Sequence, residues 1–209
     1  EISRIPLMVY HPEFAEQSGT RRKSLTQSID IMPTIMELHD HTIPEDVSGK
    51  SLIPLLAEDS PVRSTAMFGY FGAACNITDG THVYHRYPEN LSADGLYEYT
   101  LMPTRMTSRF PISDLVGATL TDPFKFTKGA PVMKLKPRTN EEGNPVECQG
   151  MSFDNTKTQL YNLDTDPKQE NPITNPEIEA KLVAEMIHHM KCADAPAEMY
   201  ARFNLELDN

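Results

Sequence analysis

Apolar positions follow different patterns before and after Ser64. The first segment opens with a continuously apolar run, RIPLMVY at residues 4–10, which Pro12 ends. Continuous apolarity is typical of a parallel strand that is covered on both faces. The sequence therefore predicts a buried strand here. Because the chain has no initiator Met and enters this strand almost at once, we expect it to be part of a longer protein.

A helix is predicted after the polar loop that follows this strand. The segment SIDIMPTIMEL offers Ser28 or Asp30 as the N-cap and places Pro33 in the first turn. Its apolar residues recur at helical spacing, so we expect them to face the core. They are Ile31, Ile35, Met36 and Leu38. A second, shorter helix is predicted at residues 51–56, where Pro54 fits the first turn.

From Ser64 onward the apolar runs are short and rich in β-forming residues. Asp79-Gly80 is a tight-turn dipeptide between two such runs, which predicts a hairpin. Further strands are predicted at residues 96–103, in GAPVMKLKP and in TQLYNL. A final helix begins after Asn175, a good N-cap, with Pro176 in the first position. One face of this helix is apolar at four-residue spacing, through Ile178, Leu182, Met186 and Met190.

These patterns predict a fold class that changes from α/β to α+β along the chain. Residues 1–63 are expected to form the C-terminal end of an α/β core, a strand plus helix. Residues 64–209 are expected to form a small C-terminal antiparallel-sheet subdomain with a terminal helix.

Charge and composition limit the classes of molecule that the chain is expected to bind. The net charge is −11 and the pI about 5.0, so the chain is a poor ligand for nucleic acid or an anionic membrane. We expect neither partner, and no apolar run reaches the roughly 20 residues of a membrane span. Three widely spaced cysteines form no disulfide framework or zinc knuckle, which favours a reducing, cytoplasmic compartment.

Motifs that carry chemistry are few in this chain. The GxSxG nucleophile motif is absent, and the GKS at residues 49–51 lacks the first glycine of a phosphate-binding loop. His188 and Cys192 have the spacing of two ligands on one helix face, but no second pair accompanies them, so no metal site is predicted. Basic residues flanked by aromatic ones suit a local anion pocket, and we nominate His85, Arg86 and Lys128 for it.

Three stretches, taken in order, resemble the sulfatase family. EISRIPLMVYHP resembles the segment YEExxRxPLIVxxPG, and SLTQSIDIMPTIMELHDHTIPEDVSGKSLIPLL resembles VSxxDIxPTLLxLAGxxxPxxxxGxSLxPLL. QLYNLDTDPKQENPI resembles the later segment ELYDLxxDPxExxNL. The order and spacing of the three make the resemblance specific, and the middle strands suit a bacterial-type arylsulfatase.

The resemblance implies an alkaline-phosphatase-like α/β domain followed by a small antiparallel sheet backed by a helix. It also implies hydrolysis of sulfuric esters by a formylglycine, made from Cys or Ser in a C/S-x-P-x-R motif, with calcium as metal cofactor. Cys75, Cys148 and Cys192 do not fit this motif, because none has Pro two residues on and Arg four residues on. We therefore expect no catalytic residue, metal ligand or cofactor in this chain.

The resemblance assigns a role to the chain within a sulfatase. It would complete the fold and border the substrate pocket, where His85, Arg86 and Lys128 would contact the sulfate ester. Its partner would be the N-terminal catalytic part of the same polypeptide, which would carry the nucleophile, the calcium and the formylglycine. Whether this chain is by itself an enzyme stays open, and we expect it to be inactive alone.

Two alternatives also stay open. The chain could be a non-catalytic interaction or truncated module, with self-association through an exposed sheet edge. The parent protein could instead be a phosphoesterase of the same superfamily, since the nucleophile that would decide the reaction is not in this sequence.

Overall fold

The computed structural model describes residues 5–104, 108–148, 150–152, 154 and 156–206. These residues form two antiparallel sheets and four α-helices, joined by short 3-10 turns. The helices are α1 (Ile31–Leu38), α2 (Ile53–Glu58), α3 (Pro176–Cys192) and α4 (Ala197–Arg202). The strands are β1 (Ala66–Gly69), β2 (Cys75–Thr78), β3 (His82–Arg86), β4 (Glu98–Thr100), β5 (Thr119–Thr121), β6 (Val132–Leu135) and β7 (Gln159–Asn162).

The larger sheet has the strand order β1-β2-β3-β7. The predicted hairpin is confirmed: β2 and β3 pair antiparallel through a turn at Asp79-Gly80. The Asp79 carboxylate accepts the backbone N–H groups of Thr81 and His82, and Gly80 adopts a φ of 92°, which favours glycine. The turn is thus held by its own side chain and positions β3 in the middle of the sheet.

The predicted TQLYNL strand is confirmed as β7, which pairs antiparallel with β3 although a long segment separates them in sequence. Tyr84 lies opposite Leu160 in this register, and Ile173 bridges back to Leu160 after the turn that follows β7. The acidic, proline-containing turn therefore returns the chain to the sheet before α3 begins.

Helix α3 covers one face of this sheet. Asn175 is its N-cap, and the Asn175 side-chain oxygen accepts the Ile178 N–H at 3.2 Å, as the sequence predicts. Leu182 and Met186 are fully buried against Ile77 and Tyr84 of the sheet. Burying one such side chain stabilises the fold by roughly 1.5 to 3 kcal/mol, so this contact forms the main core.

The smaller sheet has the order β4-β6-β5 and holds helix α4 through a polar contact. Lys134 of β6 donates to Glu198 of α4 at 2.8 Å, and its ammonium lies 3.9 Å from the centre of the Tyr97 ring. The predicted strand at 96–103 is shorter in the structure, and the GAPVMKLKP strand is confirmed as β6. The sequence gives no signal that the strands divide between two sheets.

The start of the chain differs from the prediction. Described residues 5–10 pair with no strand and are exposed; Met8, for example, is 91 % exposed. Helix α1 forms as predicted, but Ile31 and Ile35 are about half exposed rather than part of the core. A parallel strand is buried only between neighbouring strands and covering helices, and the described residues supply neither.

The domain boundary that the sequence predicts near Ser64, between residues 1–63 and 64–209, stays a prediction. None of the helices in the described residues has the length and apolarity that crossing a bilayer requires.

Candidate functional site

A buried carboxylate organises the first part of the chain. Asp30 is fully buried just before α1, and its carboxylate accepts the backbone N–H of Gln27 at 2.7 Å and of Lys50 at 2.9 Å. The Arg63 guanidinium donates to the same carboxylate and also to the Gln27 side-chain oxygen. A buried charge is tolerated only when it is paired and hydrogen-bonded, and this one is both.

The DIMPT and GKSL stretches meet at this carboxylate. The Thr34 hydroxyl donates to the Asp30 carbonyl at 2.5 Å and accepts the Leu52 N–H at 2.9 Å. A Cβ placed on Gly49 would lie 2.0 Å from the carbonyl oxygen of Ile29. The motif residues therefore hold α1 against the segment before α2, and the GKS turn has this structural role.

A cavity of about 760 Å³ lies beside this network. Its walls come from the loop segments around residues 27–29 and 48–50, from β1 with the turn that follows, and from the end of α3 and α4. The polar and titratable lining residues are Gln27, Ser48, Lys50, Arg63, Thr65, Cys75, His188, His189, Cys192 and Arg202. The larger apolar and aromatic lining residues are Met67, Phe68, Tyr70, Met190, Met199 and Phe203.

Thr65 joins the start of β1 to α3 at this cavity. Its buried hydroxyl lies 2.8 Å from His189 Nε2 and 3.4 Å from Glu185 Oε2. Burial lowers the pKa of His189 and favours its neutral ring. The contact fixes the strand against the helix on the cavity side.

His188 and Cys192 form a second polar pair on α3. Cys192 Sγ lies 3.7 Å from His188 Nε2 at the exposed end of the helix. No group of three or more His, Cys, Asp or Glu side chains is arranged to hold a metal in the part of the chain that the structure describes.

His85, nominated from the sequence, lies on β3 between two amide side chains. His85 Nδ1 lies 2.9 Å from the Asn76 oxygen, and Nε2 lies 2.7 Å from the Gln169 oxygen. The ring also packs edge-on against Phe68 and Tyr161. Burial lowers the pKa of His85. Both ring nitrogens are thus engaged within the fold.

Arg86 has an equally defined structural environment. Its Nε donates to the Phe203 carbonyl and its Nη2 to the Asn204 carbonyl, each at 2.7 Å, and Nη1 contacts the Tyr84 hydroxyl at 3.0 Å. Burial and a hydrogen bond to Glu179 raise the pKa of Tyr84 to about 12. Arg86 lines a second cavity of about 330 Å³ and holds the segment after α4 to the sheet.

The three nominated residues are not brought into one site. His85 and Arg86 are neighbours on a strand, so their side chains point to opposite faces of the sheet. Lys128 lies in the left-handed region at φ 52°, and its ammonium contacts the Asp46 carboxylate at 3.0 Å with 72 % of the side chain exposed. None of the three lines the larger cavity.

The residues that do converge on the larger cavity come from distant parts of the sequence. Lys50 and Arg63 flank α2, whereas His188 and Arg202 follow the last strand. Of these, only His188, through its spacing to Cys192, and Lys50, as part of the GKS stretch, stand out in the sequence. The convergence of the others depends on how α3 packs, which no local motif reports.

Residues 1–87 match the family described as N-sulphoglucosamine sulphohydrolase, C-terminal. The multifunctional alkaline phosphatase superfamily protein PehA of Trinickia caryophylli is 38 % identical over 61 residues, which are 29 % of this chain and 12 % of that protein.

A solved structure also aligns with the chain. This structure, from work on the metabolism of multiple glycosaminoglycans by Bacteroides thetaiotaomicron, matches with a TM-score of 0.44 and 18 % identity. The alignment covers 84 % of this chain and 28 % of that one. The chain thus spans well under two thirds of either relative. Residues 1–87 thus match the C-terminal part of a sulphohydrolase family, in agreement with the sulfatase resemblance of the sequence motifs.

Proposed function

We propose that the chain is the C-terminal part of a sulfuric ester hydrolase, which it completes structurally and whose substrate pocket it borders. The catalytic nucleophile, the formylglycine and the calcium would be held by an N-terminal part of the same protein. This chain alone would then be inactive. The observation that carries the proposal is the family match over residues 1–87, which contains the Asp30–Arg63 network.

Exposed apolar surface on residues 1–87, which match the family, supports the same proposal. The unpaired stretch at residues 5–10 and the exposed side of α1, with Ile31, Met32 and Ile35, are large and apolar. Exposed apolar surface of this extent is typical of a surface that packs against another element. The N-terminal part of a sulfatase is the partner we propose for it.

Hydrolysis of 4-nitrophenyl sulfate tests the proposal. The described chain is compared with a longer protein that includes an upstream C/S-x-P-x-R motif, each with calcium added. We expect turnover by the longer protein only, and loss of that turnover when calcium is chelated. Turnover by this chain alone would contradict the proposal.

The nominated substrate contacts remain a separate part of the proposal. Lys128 is the clearest to test, because its exposed side chain can be removed without opening the core. Lys128→Ala in the longer protein is expected to lower kcat/KM for an aryl sulfate. Lys168→Ala, an exposed lysine on the turn after β7, is the matched control. Equal kcat/KM in the two variants would show that Lys128 does not contact the substrate.

A phosphoesterase is the second candidate, favoured by the name of the PehA relative, a multifunctional alkaline phosphatase superfamily protein. The same two proteins are assayed with 4-nitrophenyl phosphate and with its bis ester. A kcat/KM for either phosphate above that for the sulfate would favour this candidate. Turnover of none of the three substrates by the longer protein would favour a non-catalytic module, with self-association through an exposed sheet edge.

A further inference from the structure

The larger cavity has a charge that contrasts with the rest of the chain. Its titratable nitrogen-bearing side chains are Lys50, Arg63, His188, His189 and Arg202, and none of its lining residues in the described part of the chain is Asp or Glu. Acidic residues outnumber Lys and Arg by 30 to 19 in the chain, so an acid-free wall is unlike the average surface. Arg63 is paired with Asp30, so Lys50 and Arg202 supply the remaining positive charge of the lining, and this charge favours an anionic occupant.

The two arginines of the lining are charged groups whose Nε atoms are buried. Arg63 is paired with Asp30 behind the wall, while its buried Nε has no hydrogen-bond partner among the described residues. Arg202 donates to the backbone carbonyls of Ser92 at 2.7 Å and Gly72 at 2.6 Å, and its Nε is likewise buried and unbonded. Burial lowers the pKa of Arg202, which is the expected cost of a cation held by neutral dipoles. A nearby anion would reduce that cost.

The remaining wall is apolar and includes ring systems. Met67, Phe68 and Tyr70 line it from β1 and the following turn, and Met190 and Met199 line it from the helices. A volume of about 760 Å³ lies within the usual range of roughly 300 to 1,000 Å³ for small-molecule sites. An apolar wall with a few convergent polar groups is the usual composition of such a site.

We propose that this cavity is a binding site for a small organic anion that carries a flat apolar group. The cationic side chains would contact the anionic end, and the Met and aromatic side chains would contact the apolar end. The inference stands apart from the proposed function, because it concerns binding by this chain and requires no hydrolysis.

Titration calorimetry of the full 209-residue chain with 2-naphthyl sulfate tests the proposal, with 2-naphthol as the neutral analogue. We expect saturable binding of the sulfate and binding at least about tenfold weaker for the naphthol, since a charge-assisted contact contributes that much. Added salt should weaken the binding of 2-naphthyl sulfate and leave that of 2-naphthol unchanged. Equal binding of the two compounds, or no binding of either at millimolar concentration, would overturn the proposal.

A charge reversal locates the site. Lys50→Glu places an acid in the cavity while its backbone N–H can still bond to Asp30, and we expect affinity for 2-naphthyl sulfate to fall by about tenfold or more. Lys181→Glu makes the same change of net charge on an exposed position of α3 outside the cavity, and affinity should change by less than about twofold. Equal losses in the two variants would place the anion elsewhere and overturn the assignment.

Thiol labelling provides a second readout that does not depend on the Lys50 variant. Cys192 lines the cavity and is exposed. Saturating 2-naphthyl sulfate should slow alkylation of Cys192 severalfold, whereas 2-naphthol at the same concentration should not. An unchanged alkylation rate would contradict occupancy of this cavity.

Discussion

Gly49 lies directly against the backbone carbonyl of Ile29, so that a Cβ at position 49 would be 2.0 Å from the Ile29 oxygen. Real Cβ atoms do not approach an oxygen so closely, and both partners here are backbone. The contact brings the Lys50 N–H to the Asp30 carboxylate. It therefore explains why the GxSL stretch has glycine at this position, although its backbone is not in the left-handed region.

Gly49→Ala is expected to destabilise the protein by about 2 to 4 kcal/mol, because the backbone must move and the bond to Asp30 is then lost. Urea unfolding followed by circular dichroism measures the change. Lys50→Ala, which changes only the neighbouring exposed side chain, is the control. The packing account fails if the two variants unfold at the same urea concentration.

Arg63→Met is expected to cost about 3 to 5 kcal/mol of unfolding free energy, because Asp30 would remain buried without its cationic partner. Adding Asp30→Asn to this variant should restore part of the loss, since no charge is then buried unpaired. Denaturant unfolding of both single variants and the double variant gives the coupling. Additive effects in that cycle would show that the pair is not coupled.

Lys128→Met tests an exposed ion pair, in contrast to the buried Arg63–Asp30 pair. The Lys128–Asp46 contact is largely exposed, and solvent screens it. We expect the urea midpoint of this variant to match that of the unmodified chain within error. A midpoint shift comparable with that of Arg63→Met would be inconsistent with this exposure.

The contribution of His85 to stability should depend on pH. Burial lowers its folded pKa below the ordinary value, so the unfolded state binds a proton more readily. The stability from the neutral ring is therefore fully present above the unfolded pKa, about 6.5, and is lost as pH falls toward the folded pKa.

Urea unfolding of the unmodified chain and of His85→Gln between pH 8 and pH 5 measures this effect. The difference in stability should be largest at high pH and shrink as the solution is acidified. A difference that stays constant over this range would contradict a lowered folded pKa.

The cysteines should differ in reactivity although all three are free. Burial raises the pKa of Cys75 to about 11 and also raises that of Cys148, whereas Cys192 is exposed. Iodoacetamide at pH 8 is expected to modify Cys192 first and the other two only after denaturation. Peptide mass spectrometry identifies the site, and Cys192→Ser should abolish the fast phase. Rapid labelling of Cys75 in the folded chain would be inconsistent with its burial.

Local sequence was sufficient for most of the elements. The turn at Asp79-Gly80 and the helix cap at Asn175-Pro176 depend only on residues close in sequence. The hairpin and α3 could therefore be predicted from them. The apolar face of α3 was equally predictable, because four-residue spacing places Leu182 and Met186 on one side of the helix.

The sequence alone was misleading where burial depends on other segments. The run at residues 5–10 has the composition of a buried strand but pairs with no described strand, since pairing requires neighbours that composition cannot provide. The nominations of His85, Arg86 and Lys128 as substrate contacts stay a prediction. Residue type shows that a side chain can bind an anion, but not that Arg86 is already bonded to the carbonyls of Phe203 and Asn204.

The sequence by itself determined the hairpin, the β6 and β7 strands, helices α1 to α3, the resemblance of three motifs to the sulfatase family, and the absence of a C/S-x-P-x-R motif from these residues. Only the tertiary structure decided which charges meet. Arg63 reaches Asp30 across 33 residues of sequence. Lys50 shares a cavity with His188 and Arg202 because helix α3 and the chain after it pack beside β1. Such convergence depends on contacts between distant segments, and no local spacing encodes it.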